Sequence, residues 1–429
     1  MINKYDSYDY SGFDWLGEIP SKWKILRMCY MFKPISIKNN SGEINLSVYR
    51  DYGVIPTDSR DDNHNVISED TSNYKLVEEG DFVMNKMKCW MGSLGLSDYR
   101  GIVSPSYTVM KPLKTNYHKY THYLLRSKQY IPQYKRLSYG VREGQWDLRF
   151  QDFRELPCLI PPVSEQQQIV SFLDTKTLLI DSLVEKTQLK ILLLKEKRTS
   201  LINEVVTKGL NPNVKMRDSG MEWIGDIPNT WDLKKIKFIF QEKKSTKNSK
   251  LNSGSISFGV VVYKDDEKIL ESTKESYQEL LKGEFLINPL NLNYDLKSLR
   301  IGMSRIDVVV SQGYIILILL DGFNGFYFEY LLRKFDVIYM KSLGQGVRQT
   351  ISYNNIKDEL LVIPPLNEQQ QIVEYLDEQT VLIDKTISIE EKRIELLREY
   401  RQSLISEVVT GKIRVCEEDN SFSLNSQTV

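Results

Sequence analysis

The sequence has few of the residues on which catalytic and metal sites are built. Four cysteines, Cys29, Cys89, Cys158 and Cys416, are scattered through 429 residues with no CxxC pair. That argues against a structural zinc site and fits a reducing, cytoplasmic setting. Histidine occurs three times. Net charge is absent too, with 57 basic and 57 acidic side chains. A chain that held nucleic acid by bulk charge alone would be basic, so any such binding must use local patches or partners. The most apolar run, Val308 to Leu320, is too short and broken to span a membrane. The start, MINKYDSYDYSG, is polar, and no secretory leader is expected. There is no GxxxxGK[ST] phosphate loop and no GxGxxG fingerprint. The double prolines in LIPPV and VIPPL lack the flanking residues of an adenine methyltransferase motif. No catalytic or metal constellation is expected.

What is present is a repeat. PPVSEQQQIVSFLD, Pro161 to Asp174, returns as PPLNEQQQIVEYLD, Pro364 to Asp377, with ten of fourteen positions identical. SGFDWLGEIPSKW, from Ser11, returns as SGMEWIGDIPNTW, from Ser219. SLINEVVTKG, from Ser200, returns as SLISEVVTGK, from Ser403. The period, about 200 residues, is far too long for a solenoid. The order is A–B–C–A′–B′–C′, a duplicated module. RDDNHN, Arg60 to Asn65, is the one stretch where a metal nuclease site is conceivable, through Asp61, Asp62 and His64. It has no counterpart in the second copy and reads as a polar loop.

Segment C reads as a long helix. Ser164 or Asn367 would cap it, with Gln167 or Gln370 three residues on. No proline or glycine follows until Gly209 or Gly411. Apolar residues recur at alternating steps of four and three, the heptad of a coiled coil. The first copy places Leu173, Ile180, Val184, Ile191, Leu194 and Leu201 on the seam; the second places Leu376, Ile383, Ile387, Ile394, Leu397 and Leu404. Thr187 and Glu390 interrupt it at matching places, as do Arg198 and Arg401. Each helix could pack on its own domain or on the other helix. Equal length and pattern favour an antiparallel pair, in which Glu390 and Arg198 could meet. Leu178, Leu179, Leu192 and Leu193 then face outward, free to bury partner helices.

Segments B and B′ differ, and keep only sparse echoes. GDFVMN matches GEFLIN, VSPSY matches VSQGY, and LSYGVRE matches LGQGVRQ. Each reads as a mixed α/β unit of strands around a few helices. Lys/Arg suit phosphates, Asn/Gln/Arg suit base edges and aromatics suit wedging. On that chemistry the DNA-contact candidates in B are Lys86, Lys88, Arg100, Tyr139 and Arg142. Those in B′ are Asn291, Asn293, Arg300, Gln345 and Arg348. Arg142 and Arg348 are the sharpest pair, since each follows the glycine of the LxxGVR echo.

The repeated phrases SGxxWxGxIPxxW, IPPxxEQQxIVxxLD and SLIxEVVT, in that order twice, resemble the specificity subunit of type I restriction–modification systems. The resemblance covers residues 11 to 415. It implies an α/β (α+β) fold with an internal pseudo-two-fold repeat. Two target recognition domains would be joined by two long helices in an antiparallel coiled coil. The divisions would be a leading segment, 1–23; a first recognition domain, 24–163; a spacer helix and linker, 164–218; a second recognition domain with its leading segment, 219–366; a second spacer helix, 367–412; and a disordered tail, 413–429. Each domain would read one half of an asymmetric, bipartite site in double-stranded DNA, with the helices setting the gap. Two methyltransferase subunits would bring S-adenosylmethionine and methylate adenine N6. Restriction subunits would bring ATP and magnesium. This chain would hold no cofactor, work in the cytoplasm and perform no chemistry itself.

Overall fold

The computed structural model describes residues 4–40, 42–50, 52–59, 70–113, 118–140, 146–248, 250–290, 299–340 and 351–415. The chain divides into two compact units, residues 1–188 with 392–429, and residues 189–391. Two long helices, Val163–Lys208 and Leu366–Val409, each begin in one unit and end in the other.

In the first unit an antiparallel sheet runs in the order Phe32–Ile35, Tyr107–Pro112, Phe82–Asn85, Leu94–Leu96. Its side chains alternate between two cores, as strand geometry requires. Phe82, Met84 and Met110 enter the main core, while Val83 and Val109 enter a smaller one shared with the hairpin Leu46–Tyr49 and Gly53–Pro56.

The second unit repeats the plan. Its sheet runs Phe240–Glu242, Ile315–Leu319, Phe285–Ile287, Ile301–Met303. Phe285, Ile287 and Leu317 face its main core, Leu286 and Ile316 the smaller one. The weak echo GDFVMN/GEFLIN is therefore one strand, whose alternation serves two cores at once.

Within each unit the start of one long helix packs beside the end of the other. Leu173, Ile180, Leu404 and Val408 share the main core of the first unit; Ile202, Val205 and Leu376 share that of the second. In the second unit Lys190 meets Glu390 at 2.6 Å and Arg198 meets Asp384 at 3.0 Å. Numbers rise on one helix as they fall on the other, so the pair is antiparallel. In the first unit Arg401 meets Asp181 at 2.9 Å, the counterpart of the Arg198 pair. Eight of the twelve seam residues are buried, and Val184, Leu194, Leu201 and Leu397 are half-buried.

Three expectations change. Glu390 pairs with Lys190 and Arg198 with Asp384, so the Glu390–Arg198 contact does not form. The register sets those two residues more than a turn apart. The helices also start one residue early, at Val163 and Leu366. The Pro162 carbonyl accepts from Gln166 N and the Pro365 carbonyl from Gln369 N. Ser164 and Asn367 therefore lie inside the first turn instead of capping it. At the far ends Gly209 and Gly411 take φ of 76° and 75°, the left-handed stop that glycine alone adopts cheaply. Packing also continues beyond the expected start of the tail: Ile413 lies against the core and Val415 is buried.

Candidate nucleic-acid interface

The α/β domain of each unit is tied to its helix by the repeated phrases. The indole N–H of Trp23 donates to Glu165 across 3.1 Å, and that of Trp231 to Glu368 across 2.8 Å. The next residue of the QQQ run, Gln166 or Gln369, donates back to the first proline carbonyl of its double proline, at 2.7 and 2.8 Å. The strand after each tryptophan, Lys24–Arg27 or Asp232–Lys235, pairs with the strand entering that double proline. Phrases A and C therefore recur together because they are two sides of one joint.

A helix of each domain grips both long helices. In His118–Leu125, Tyr120 donates to the Val409 carbonyl at 3.0 Å and Tyr123 to Asp174 at 2.6 Å. In Gly325–Phe335, Tyr327 donates to the Val206 carbonyl at 2.9 Å and Tyr330 to Asp377 at 2.6 Å. Tyr123 and Tyr330 are half-buried: their rings pack against the two main cores while their hydroxyls donate. The echo YTHYLL/YFEYLL was the signal for this grip.

Away from the joint, the surfaces diverge. In the first domain Lys86 is half-buried and Lys88 exposed, in the turn leaving Phe82–Asn85. The Lys86 carbonyl accepts from Leu148 N at 3.1 Å. This brings the turn beside Asp147 and Leu148. Tyr139 and Asp147 are joined by two backbone bonds of 3.0 and 2.7 Å. Tyr139 is exposed, with Arg149 lying 5.9 Å from its ring centre. Trp90 and Trp146 meet edge to face at 5.0 Å, with the Lys135 ammonium 5.3 Å from the Trp146 ring. Cations and aromatics together suit phosphate and base contact. Trp146 and Arg149 were not among the sequence candidates; the structure brings them beside Trp90 and Tyr139.

Two candidates are engaged elsewhere. Arg100 is held by Glu43 at 2.8 Å and Glu78 at 2.7 Å, so carboxylates of its own domain already answer its charge. Arg300 is 5% exposed and paired at 2.9 Å with Asp336, which is fully buried. That placement overturns Arg300 as a DNA contact; it is an internal brace. Arg142, Asn291, Asn293, Gln345 and Arg348 lie outside the described residues, as do Asp61, Asp62 and His64. Among the described residues no acidic, histidine or cysteine cluster could hold a metal ion. Burial pushes the Cys158 thiol up to about 12 and the Cys89 thiol well up, so neither is a thiolate near neutral pH. Among the described residues no helix is long and apolar enough to cross a membrane.

The sequence profile of the type I restriction modification DNA specificity domain matches residues 20–192 and again 228–399. The chain belongs to that family. The specificity domain thus occurs twice, and the two matches coincide with the two duplicated modules. The chain is 22% identical to the putative type I restriction enzyme MjaX specificity subunit of Methanocaldococcus jannaschii, covering 93% of this chain and 96% of that one. It is 23% identical to the MjaVIII specificity subunit of the same organism, over 92% and 94%. Among solved structures, a chain from work on assembly and conformational transition of the type I R-M system superposes with a TM-score of 0.65 at 14% identity. It covers 91% of this chain and 98% of that one. The HsdS subunit from Thermoanaerobacter tengcongensis gives 0.52 at 14% identity, over 94% and 100%. These likenesses support the fold: mixed helix–strand recognition domains with long connecting helices.

Proposed function

We propose that this specificity subunit reads a split, asymmetric sequence in double-stranded DNA, one half with each recognition domain. Its long helices set the number of unread base pairs between the halves. The carrying observation is the contrast between joint and surface. Trp23–Glu165 and Trp231–Glu368 make the same bond. The first domain's Trp90–Trp146–Lys135 cluster, by contrast, lies in segment B, which shares only sparse echoes with B′. Two domains mounted identically but surfaced differently suit two different half-sites.

Partner subunits carry the chemistry. Each unit leaves an apolar helical face exposed: Leu178, Leu179, Leu396 and Tyr400 in the first, Leu192, Leu193, Val381 and Leu382 in the second. By the repeat, Leu178 and Leu179 correspond to Val381 and Leu382. Two related faces suit two methyltransferase subunits, each burying one. Those subunits would supply S-adenosylmethionine and the pocket for a flipped adenine. Restriction subunits would supply ATP and magnesium, with the assembly working on cellular DNA in the cytoplasm. The chain's zero net charge accords with partners sharing the grip on phosphates.

The test is a genome-wide map of N6-methyladenine with and without the gene. Loss of one split motif on deletion is the expected result. An unchanged map in cells that make the protein and its methyltransferase would overturn the reading.

A further inference from the structure

The first recognition domain holds a cleft of about 300 Å3 between its hairpin and the end of its sheet. Polar side chains, with Asn45, Thr57, Asn85, Lys88 and Ser106 among them, share its walls with Leu46, Met87 and two tyrosines. Lys88 belongs to the turn that chemistry alone marked for DNA contact.

The bonds around the cleft show which groups are committed. Ser47 and Thr57 hydroxyls bond each other at 3.0 Å, as do those of Ser104 and Ser106 at 3.1 Å. Asn85 Oδ1 accepts from Met87 N at 3.1 Å. The side chain of Asn45 differs. Its Oδ1 is buried and has no hydrogen-bond partner. Its backbone is fixed: the carbonyl accepts from Thr57 N at 2.8 Å, and the residue bridges Ile102. A buried acceptor left unpaired is costly and calls for an explanation.

The internal repeat shows the same position again, and there too the side-chain oxygen, Ser253 Oγ, is buried without a partner. Ser253 bridges Val309, and its carbonyl accepts from Lys264 N at 2.8 Å. Position 45 therefore matches 253, and position 57 matches 264. Tyr74, Asn85, Ser104 and Tyr107 match Tyr277, Asn288, Ser311 and Tyr314, so this part of the surround is unchanged. Among the lining positions that change are Asn45 to Ser253, Leu46 to Gly254, Thr57 to Lys264, Met87 to Leu290 and Ser106 to Gly313. The side chains that differ thus lie on a shared scaffold, as two readers of different sequences need.

We infer that this cleft takes a base edge of the first half-site, and that Asn45 reads an adenine there. An asparagine amide offers one acceptor and two donors, the complement of adenine N6–H and N7 in the major groove. Rotation about the soft χ2 torsion would aim the uncommitted oxygen at the base amino group. Serine at 253 cannot make that paired contact, so the second domain reads its half by other groups. The inference rests on the DNA reading proposed above and names the residue that discriminates.

The test compares the wild-type chain with Asn45→Ser, each in complex with its methyltransferase partner. Binding is measured on duplexes in which each base pair of the site is exchanged in turn. Serine is the residue this scaffold already carries at 253, and discrimination at the second half-site reports that the complex is intact. The expected result is a loss of preference at one A·T pair of the first half-site, roughly 5- to 150-fold. Every second-half preference should stay unchanged. Unaltered preference at all first-half positions would overturn the inference, as would an equal loss on every duplex, which marks a phosphate contact or misfolding. A wild-type complex that prefers no split site would instead overturn the DNA reading itself.

Discussion

Arg414 and Asp6 form an ion pair at 3.3 Å, with the Arg414 guanidinium 5.8 Å from the Tyr5 ring centre. The repeat offsets place Arg414 opposite Asn211 and Asp6 opposite Val214. In the second unit those places are joined by unbroken chain. The first unit achieves by side chains what the second achieves by peptide bonds.

A circular permutant should therefore work. Opening the chain between Asn211 and Asn213 and joining Val415 to Lys4 through a short linker should preserve the fold and the methylated motif. Termini close in space are what makes permutation tolerable. Loss of the motif in a folded permutant would show that the continuous segment at 211–214 is required.

The tryptophan–carboxylate joints should be worth a measurable amount each. Trp231→Phe removes the donor to Glu368 but keeps an aromatic ring. Hydrogen bonds to charged groups contribute about 1.5–3 kcal/mol, so the urea midpoint should fall accordingly. An unchanged midpoint would mean that water replaces the bond without loss.

Arg142→Ala should weaken recognition of the first half-site and Arg348→Ala that of the second, by about 1–3 kcal/mol if each arginine makes a paired base contact. Equal weakening on all sequences, with a shallower salt dependence, would make them phosphate contacts.

Arg300 should behave as a brace. Arg300→Ala leaves Asp336 buried without its guanidinium partner, keeping only the bond from the residue-300 backbone N–H, and should cost about 3–5 kcal/mol of stability. Replacing both residues by apolar ones should recover much of that loss. The salt dependence of DNA binding should be unaltered in any variant that folds. A reduced salt slope would return Arg300 to the interface.

Lys334 sets a pH dependence. Burial, with Lys208 nearby, lowers its pKa from the ordinary 10.5 to about 8. The unfolded chain then binds more protons between those values, so this group's contribution to stability rises with pH across about 8 to 10.5. Below 8 the penalty is complete. The stability of Lys334→Met relative to wild type should decline as pH rises through that window. A difference independent of pH would show that Lys334 titrates normally.

Much of the scaffold could be read directly. Heptad spacing placed Leu173, Ile180, Leu376 and Ile383 inside, because a helix repeats every 3.6 residues whatever it packs against. The glycine stops at 209 and 411 followed from backbone freedom. Register did not follow. Glu390 has several basic side chains within reach of any antiparallel arrangement, and only the packed helices choose Lys190.

The candidate interface was less legible, because residue chemistry does not report burial. Arg100 and Arg300 resemble Lys88 in sequence, yet carboxylates from Glu43, Glu78 and Asp336 engage both arginines. Those partners lie 57, 22 and 36 residues away, beyond any local pattern. Asn45 shows the same limit. Nothing local distinguishes it from other polar loop residues until its backbone is paired with Ile102 and Thr57 and its amide is left over. By itself, then, the sequence determined the duplication, the helices and their seams, because periodicity and repetition are local properties of the chain. Tertiary structure alone decided which charges are paired within the fold and which polar groups are left unpaired, because pairing and burial depend on residues brought together from far apart.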